Sequence, residues 1–301
     1  MNENVTNINW FPGHMSKALK MMEKEINVVD VVLYVLDSRA PFSCVNPKFA
    51  QIIKDKPIIY IFNKIDLAEK SKVDEWQRYF ERQGGYVVTM DSTASGLGKN
   101  VVATIKQACM QKIEKYRNKG LNATLRGLVL GVPNCGKSTL INNLCGKSKT
   151  VTGNIAGVTR GKQWVTIAGG IEILDTPGTL WPAFDNNRVA RTLAYIGSIK
   201  EDVLDINDLS LDFIQDIRKI DPTLIEQRYN VLIDDEDTPL EVLEKICESR
   251  KYLLKGGDYD YDRCCSSIIS DFKHGKFGKL TLETVKDLTQ LKKNDRKAKE
   301  K

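Results

Sequence analysis

Short, continuous apolar runs separated by mixed segments dominate the first half of the chain. Four of these runs are VVLYVLD (31–37), PIIYIFN (57–63), YVVTMD (86–91) and LRGLVLG (125–131). Such runs are typical of strands that are buried on both faces, as in parallel sheets. The intervening periodicity predicts helices at residues 15–26, 71–83, 98–116 and 136–145. Alternating strands and helices indicate an α/β fold.

The second half begins with a hairpin and then becomes helical. QWVTIAGGIEILD (163–175) predicts two short strands around Gly169 and Gly170. Beyond residue 187 the strand pattern largely stops, and segments such as DPTLIEQ and TPLEVLEKI resemble capped helix starts. We therefore predict a doubly wound α/β domain over residues 1–182 and a smaller all-α domain over residues 187–301.

The composition is that of an ordinary globular protein, with 42% hydrophobic and 28% charged residues among 301. No apolar run reaches the ~18 residues of a membrane span, and no signal peptide opens the chain. Seven cysteines without a CxxC pair favour reduced thiols over a zinc site. These features predict a cytoplasmic protein without a membrane partner. The net charge of +6 permits an anionic partner.

A phosphate-binding loop is predicted at GVPNCGKST (131–139), which fits G-x-x-x-x-G-K-[ST] between a predicted strand and a predicted helix. The glycines let backbone N–H groups approach the phosphates, and the helix N-terminus adds its positive dipole. Lys137 is placed to reach the β- and γ-phosphates, and Ser138 is placed to bind Mg²⁺. The nucleotide contacts expected from this loop are Asn134, Cys135, Gly136, Lys137, Ser138 and Thr139.

DTPG (175–178) ends the second strand of the predicted hairpin, 38 residues after Lys137. Asp175 is expected to hold Mg²⁺ through water, and the N–H of Gly178 is expected to meet the γ-phosphate. The tetrapeptide is a weak signal alone, but its position at a strand end after a phosphate loop strengthens it.

NKID (63–66) follows a predicted strand and fits the N-K-x-D pattern that recognises guanine. Asp66 can accept hydrogen bonds from the N1–H and N2–H of guanine, a pair of donors that adenine lacks. Asn63 can bond the edge of the base and brace the neighbouring loops, and the stem of Lys64 can lie along the face of the base. A surface turn is the alternative for NKID alone, but the phosphate loop favours GTP over ATP.

DSTASG (91–96) resembles the loop whose backbone N–H groups contact guanine O6. We therefore include Asp91, Ser92 and Thr93 in the predicted GTP site, although this match is the loosest of the set.

The order of these motifs is that of a circularly permuted GTPase, because NKID and DSTASG precede the phosphate loop. The chain resembles the YlqF family, whose bacterial members are known as ribosome biogenesis GTPase A. The stretches that carry this resemblance are INWFPGHMSKALK (8–20), DSRAP (37–41), GVPNCGKSTLIN (131–142), AGVTRGKQW (156–164) and DTPGTLWP (175–182). A looser match continues at HGKFGKLTLE (274–283).

The resemblance implies a P-loop GTPase that binds GTP and GDP with Mg²⁺ and assists late maturation of the large ribosomal subunit. It implies that the helical domain docks on ribosomal RNA of the precursor particle, and we expect a monomer. The permutation joins DTPG covalently to that domain, so we expect the nucleotide state to set the position of the domain. A switch that binds a protein effector without RNA is the alternative. A small-subunit sister family is disfavoured because no preceding RNA-binding barrel or zinc cysteines are present.

Three residues bear on the expected mechanism. Thr159 is the candidate to complete the Mg²⁺ shell with GTP bound, and an ordinary loop threonine is the alternative. Many GTPases orient water with a Gln after DxxG, but Thr179 stands there, so slow intrinsic hydrolysis is implied. Asn134 resembles residues that help hold K⁺ in similar GTPases, and loop bracing is the alternative.

His14 is one of only two histidines, and it lies before the first strand of the permuted sheet. An imidazole there could orient or polarise water in place of the missing Gln. The alternative is a residue that serves packing or RNA contact. The basic tail, with seven Lys/Arg and three acids over residues 286–301, suits phosphate contact or a solvated helix end.

Overall fold

The computed structural model describes residues 12–91, 98–145, 163–182, 184, 186–200 and 203–288, with residue 163 described by its backbone alone. These residues fall into two compact units. One, of residues 12–182 together with 283–288, carries the predicted GTPase motifs and is here called the GTPase unit; the other is a helical unit of residues 184–282. The chain thus crosses into the helical unit after Pro182 and leaves it before Glu283. The predicted domain over residues 187–301 differs from this division at its C-terminal end, because the side chain of Glu283 contacts the GTPase unit.

The GTPase unit contains a sheet in the order β3-β2-β1-β4-β6-β5. Its strands are β1 (Val31–Asp37), β2 (Ile58–Asn63), β3 (Tyr86–Thr89), β4 (Leu125–Leu130), β5 (Gln163–Ile167) and β6 (Ile171–Asp175). All adjacent pairs are parallel except β5 with β6, the predicted hairpin. All seven residues of β1 are buried, as expected for a central strand covered on both faces. The predicted permuted α/β fold is confirmed.

The helices of the GTPase unit surround this sheet. They are α1 (Gly13–Glu25), α2 (Pro47–Ile53), α3 (Lys70–Arg82), α4 (Gly98–Ala108), α5 (Met110–Arg117) and α6 (Lys137–Cys145). The single helix predicted over residues 98–116 is wrong, because the chain departs from helical geometry at Cys109 with φ −105° and ψ 16°. The apolar period runs through this point, so the periodicity alone gives no sign of the break.

The helical unit contains α7 (Asn187–Tyr195), α8 (Ile206–Ile220), α9 (Thr223–Tyr229), α10 (Pro239–Arg250) and α11 (Tyr261–Lys273). α10 begins with the capping box that TPLEVLEKI predicts, since Thr238 and Glu241 exchange hydrogen bonds. α8 carries the central aromatic ring, Phe213, which is fully buried against Tyr195 and Phe272. No helix in the described part of the chain has the length and apolar character of a membrane span.

Candidate functional site

The loop between β4 and α6 joins a strand to a helix through a series of tight backbone turns. Three of its residues have positive φ: Gly131 (153°), Asn134 (58°) and Gly136 (104°). A Cβ atom on Gly131 would lie 2.6 Å from the carbonyl oxygen of Val35, so a side chain cannot be accommodated there. Backbone turns of this kind can direct N–H groups toward an anion. This backbone is compatible with the phosphate loop predicted at residues 131–139.

Lys137 opens α6 and is buried with 6% exposure. Its Nζ donates hydrogen bonds to the carbonyl oxygens of Gly131 (3.1 Å) and Val132 (2.8 Å), so the ammonium group lies within the loop. Ser138 and Thr139 follow in the first helical turn and are exposed. Burial raises the pKa of the Cys135 thiol, which stays neutral and contributes its backbone to the loop.

The DTPG loop lies directly against the phosphate loop. A Cβ atom on Gly178 would be 2.6 Å from Cα of Pro133 and 2.9 Å from Nζ of Lys137. The N–H of Thr179 donates to the carbonyl oxygen of Gly131 over 3.3 Å. Parallel pairing of β4 with β6 produces this arrangement, because both loops leave the same edge of the sheet. Gly178 thus has the close approach predicted for a γ-phosphate contact.

The NKID loop meets the phosphate loop from the other side. Nδ2 of Asn63 donates a 2.8 Å hydrogen bond to the carbonyl oxygen of Cys135, which realises the bracing role predicted for Asn63. Lys64 adopts a left-handed conformation, and Asp66 lies exposed in the short 3₁₀ turn that follows. A hydrogen bond from Met90 N to Phe62 O brings Asp91 to this edge as well. Ser92, Thr93 and Thr159 lie outside the described residues.

A buried ion pair that was not predicted from the sequence lies behind NKID. Oδ2 of Asp37, at the end of β1, lies 2.8 Å from Nζ of Lys64 and 2.8 Å from a guanidinium nitrogen of Arg39. Burial favours a higher pKa for Asp37, but Lys64 and Arg39 outweigh it and hold the pKa well below its usual range. Two signals in the sequence include Asp37: the acidic end of VVLYVLD and the DSRAP stretch (37–41). Asp37 pairs in register with Asn63 on β2.

The donor set at this edge fits Mg²⁺. Ser138 presents a hydroxyl at the start of α6, and Asp175 presents a carboxylate at the end of β6, the strand beside β4. Hard oxygen ligands of this kind, together with nucleotide phosphates, suit Mg²⁺. When bound, the ion would neutralise charge on the phosphates.

The residue after DTPG is turned away from solvent. Thr179 is fully buried, and its hydroxyl has no hydrogen-bond partner among the described residues. It therefore does not replace the water-orienting Gln of other GTPases. Leu180 N donates to Sδ of Met15 at 3.4 Å, so the first turn of α1 contacts this loop. His14, the neighbour of Met15, has an exposed imidazole.

A polar cleft of about 630 Å³ lies elsewhere, at the opposite edge of the sheet where β2 and β3 begin. Lys54, Tyr60 and Tyr86 are among its lining residues. Its location separates it from the loops that carry the nucleotide motifs, which follow the strand ends.

Comparisons with known proteins agree with this geometry. The family described as 50S ribosome-binding GTPase matches residues 126–245. Ribosome biogenesis GTPase A of Bacillus cereus is 36% identical over 281 residues, covering 93% of this chain and 95% of that protein. The Bacillus pumilus protein of the same name is 37% identical over 278 residues, covering 92% and 98%. The crystal structure of GNP-bound YlqF from T. maritima superposes with TM-score 0.62 and 25% identity, covering 89% of this chain and 98% of that one.

Proposed function

Because the chain belongs to the ribosome biogenesis GTPase A (YlqF) family and is therefore a GTPase, we propose that it assists late maturation of the large ribosomal subunit. The observation that supports GTP binding is that three loops meet at one place. Asn63 bonds to the carbonyl of Cys135, and Gly178 lies against Lys137, so the guanine, phosphate and switch motifs share one edge. The similarity of the chain to proteins named for ribosome biogenesis supports the proposed role in maturation of the ribosome.

The helical unit, residues 184–282, is the part that we propose to dock on ribosomal RNA. Lys276 and Lys279 are exposed on either side of Phe277, which is buried and anchors the segment. Exposed lysines held by a buried aromatic residue suit contact with a phosphate backbone. Since the chain enters this domain a few residues after DTPG, we propose that the nucleotide state is transmitted through that covalent link. A monomeric state and a cytoplasmic location belong to the same proposal.

Sedimentation with large-subunit precursor particles tests this function. We expect cosedimentation in the presence of a non-hydrolysable GTP analogue and release with GDP. The variant K276A/K279A should bind more weakly and with a smaller dependence on salt, because two phosphate contacts are lost. The matched control K200A/K255A removes two other exposed lysines of the helical unit and should bind like the parent. Absence of association in either nucleotide state would contradict the proposal.

Nuclease treatment separates this proposal from the alternative, a switch that binds a protein effector. Binding to RNA should be lost when the particle is digested, whereas GTP-dependent binding to a protein would survive. The exposed lysines around Phe277 favour the first outcome.

Replacement of His14 by Ala should slow particle-stimulated GTP hydrolysis about tenfold or more, with GTP affinity nearly unchanged. The reason is that α1 contacts the loop after DTPG, whose own Thr179 is buried and cannot orient water. Single-turnover hydrolysis on the particle measures the rate. Glu23 is another exposed residue of α1, and Glu23→Ala serves as the matched control. Equal rates for the parent and His14→Ala would exclude a catalytic role for His14.

Hydrolysis should be faster in K⁺ than in Na⁺ if Asn134 helps to hold a monovalent cation. Asn134 is exposed within the phosphate loop, and its φ of 58° lies in the left-handed region. The rates are compared at equal ionic strength, for the parent and for Asn134→Ala. Identical parental rates in the two salts would remove K⁺ from the proposal.

A further inference from the structure

Glu283 carries a buried carboxylate, with 3% of its residue surface exposed. The carboxylate accepts hydrogen bonds from the backbone N–H of Phe42 (2.8 Å) and of Ser43 (3.1 Å), and from the hydroxyl of Ser43. A buried charge of this kind is costly unless hydrogen bonds satisfy it, so its geometry is closely specified. The residue lies 240 positions from Ser43 in the chain, and it therefore joins two distant segments.

The backbone of Glu283 is fixed independently of its side chain. Nε1 of Trp76, a fully buried residue of α3, donates a 3.0 Å hydrogen bond to the carbonyl oxygen of Glu283. The chain thus rejoins the GTPase unit at this residue, held by both its carbonyl and its carboxylate.

The segment that Glu283 holds, residues 37–46, is here called the bridging segment. One part of it supports the guanine loop: the hydroxyl of Ser38 donates to the carbonyl oxygen of Asn63 (2.6 Å), and Asp37 pairs with Lys64 (2.8 Å). Its other end reaches the loop after DTPG, because Nδ2 of Asn46 donates to the carbonyl oxygen of Thr179 (3.3 Å). The bridging segment therefore contacts the nucleotide site on its base side and on its γ-phosphate side.

We propose that Glu283 is a positioning residue for guanine-nucleotide binding, acting through the bridging segment. Removal of the carboxylate leaves the part-buried N–H of Phe42 and the buried N–H of Ser43 without their acceptor, and the segment must shift to regain partners. Such a shift loosens Ser38 and Asp37 against the guanine loop. The bound nucleotide is then released faster, while its rate of association changes little.

The position of Glu283 in the chain adds a consequence. Residues 184–282 form the helical unit, so the chain enters that unit soon after DTPG and leaves it at Glu283. The links that follow Pro182 and precede Glu283 therefore end on segments that contact the nucleotide loops.

Release of a fluorescent GDP and of a fluorescent non-hydrolysable GTP analogue, measured by stopped flow on the full chain, tests the proposal. Glu283→Ala should release both nucleotides about tenfold faster, with association within about twofold of the parent. The rate of nucleotide release from Glu283→Gln should lie between those of the parent and Glu283→Ala, because the amide oxygen of Gln still accepts from one N–H. Ser43→Ala loses only the hydroxyl contact and should release about two- to threefold faster. Glu241→Gln alters a capping box of the helical unit and serves as the control, with parental kinetics.

Thermal unfolding of the nucleotide-free variants distinguishes positioning from a merely structural role. A structural role would lower the unfolding temperature of Glu283→Ala and leave nucleotide release unchanged when the variant is folded at the assay temperature. That result would overturn the proposal. If Glu283→Ala does not fold, Ser43→Ala provides the test. A rate of nucleotide release from Ser43→Ala equal to that of the parent would then overturn the proposal.

Discussion

Replacement of Asp66 by Asn should lower the affinity for guanine nucleotides by about 100-fold or more and create a preference for xanthine nucleotides. The carboxylate of Asp66 is exposed at the edge of the site that we propose to bind guanine, where it could accept from N1–H and N2–H of the base. An Asn side chain offers only one acceptor and turns an N–H donor toward the base. Xanthine carries a carbonyl oxygen at the 2-position, which accepts that donor.

Equilibrium titration with fluorescent GDP and xanthosine diphosphate measures the switch. Asp235→Asn, which changes an exposed Asp of the helical unit in the same way, should bind like the parent. If Asp66→Asn retained parental affinity for GDP, Asp66 would not be the residue that reads the base.

Replacement of Gly178 by Ala is expected to reduce GTP hydrolysis about 100-fold or more, the usual weight of a lost oxyanion donor. The new Cβ atom would stand 2.6 Å from Cα of Pro133 and 2.9 Å from Nζ of Lys137. The first of these is a backbone atom that cannot swing aside, so the DTPG loop must withdraw from the phosphate loop. The N–H of residue 178 then no longer reaches the γ-phosphate, whereas GDP has no such group to lose.

Steady-state hydrolysis and GDP titration are measured together for this variant. GDP affinity should stay within a few-fold of the parent. Gly256→Ala is the matched control, because its Cβ would meet nothing closer than 3.7 Å, and it should hydrolyse GTP normally. Parental hydrolysis by Gly178→Ala would show that the close approach has no catalytic role.

The strands could be predicted closely because their signal is local. VVLYVLD is apolar at almost every position, and β1 is buried at all seven, since both faces of a central parallel strand are covered. The start of α10 could also be predicted, because a capping box lies within four consecutive residues. The break at Cys109 could not be predicted, because the same apolar period continues in the sequence on both sides of it.

The site divides in the same way. Asn63, Lys137 and Gly178 could be predicted as site residues because each belongs to a short motif whose spacing suits contact with one nucleotide. Asp37 was not identified, because its role is set by Lys64 and Arg39, which become its partners only when β1 and β2 pair in register. Glu283 ends the HGKFGKLTLE stretch, but its role could not be predicted, because its partners lie 240 and 241 residues away.

The sequence by itself determined the nucleotide chemistry and the permuted order of the motifs, because phosphate and guanine recognition require particular residue types at fixed short spacings. Only the tertiary structure decided that Thr179 is buried, that Gly178 has no room for a Cβ atom, and that Glu283 holds the bridging segment. The physical reason is that burial and hydrogen-bond pairing between distant segments arise from the joint packing of the sheet, its loops and the returning chain. No single stretch of residues specifies that packing.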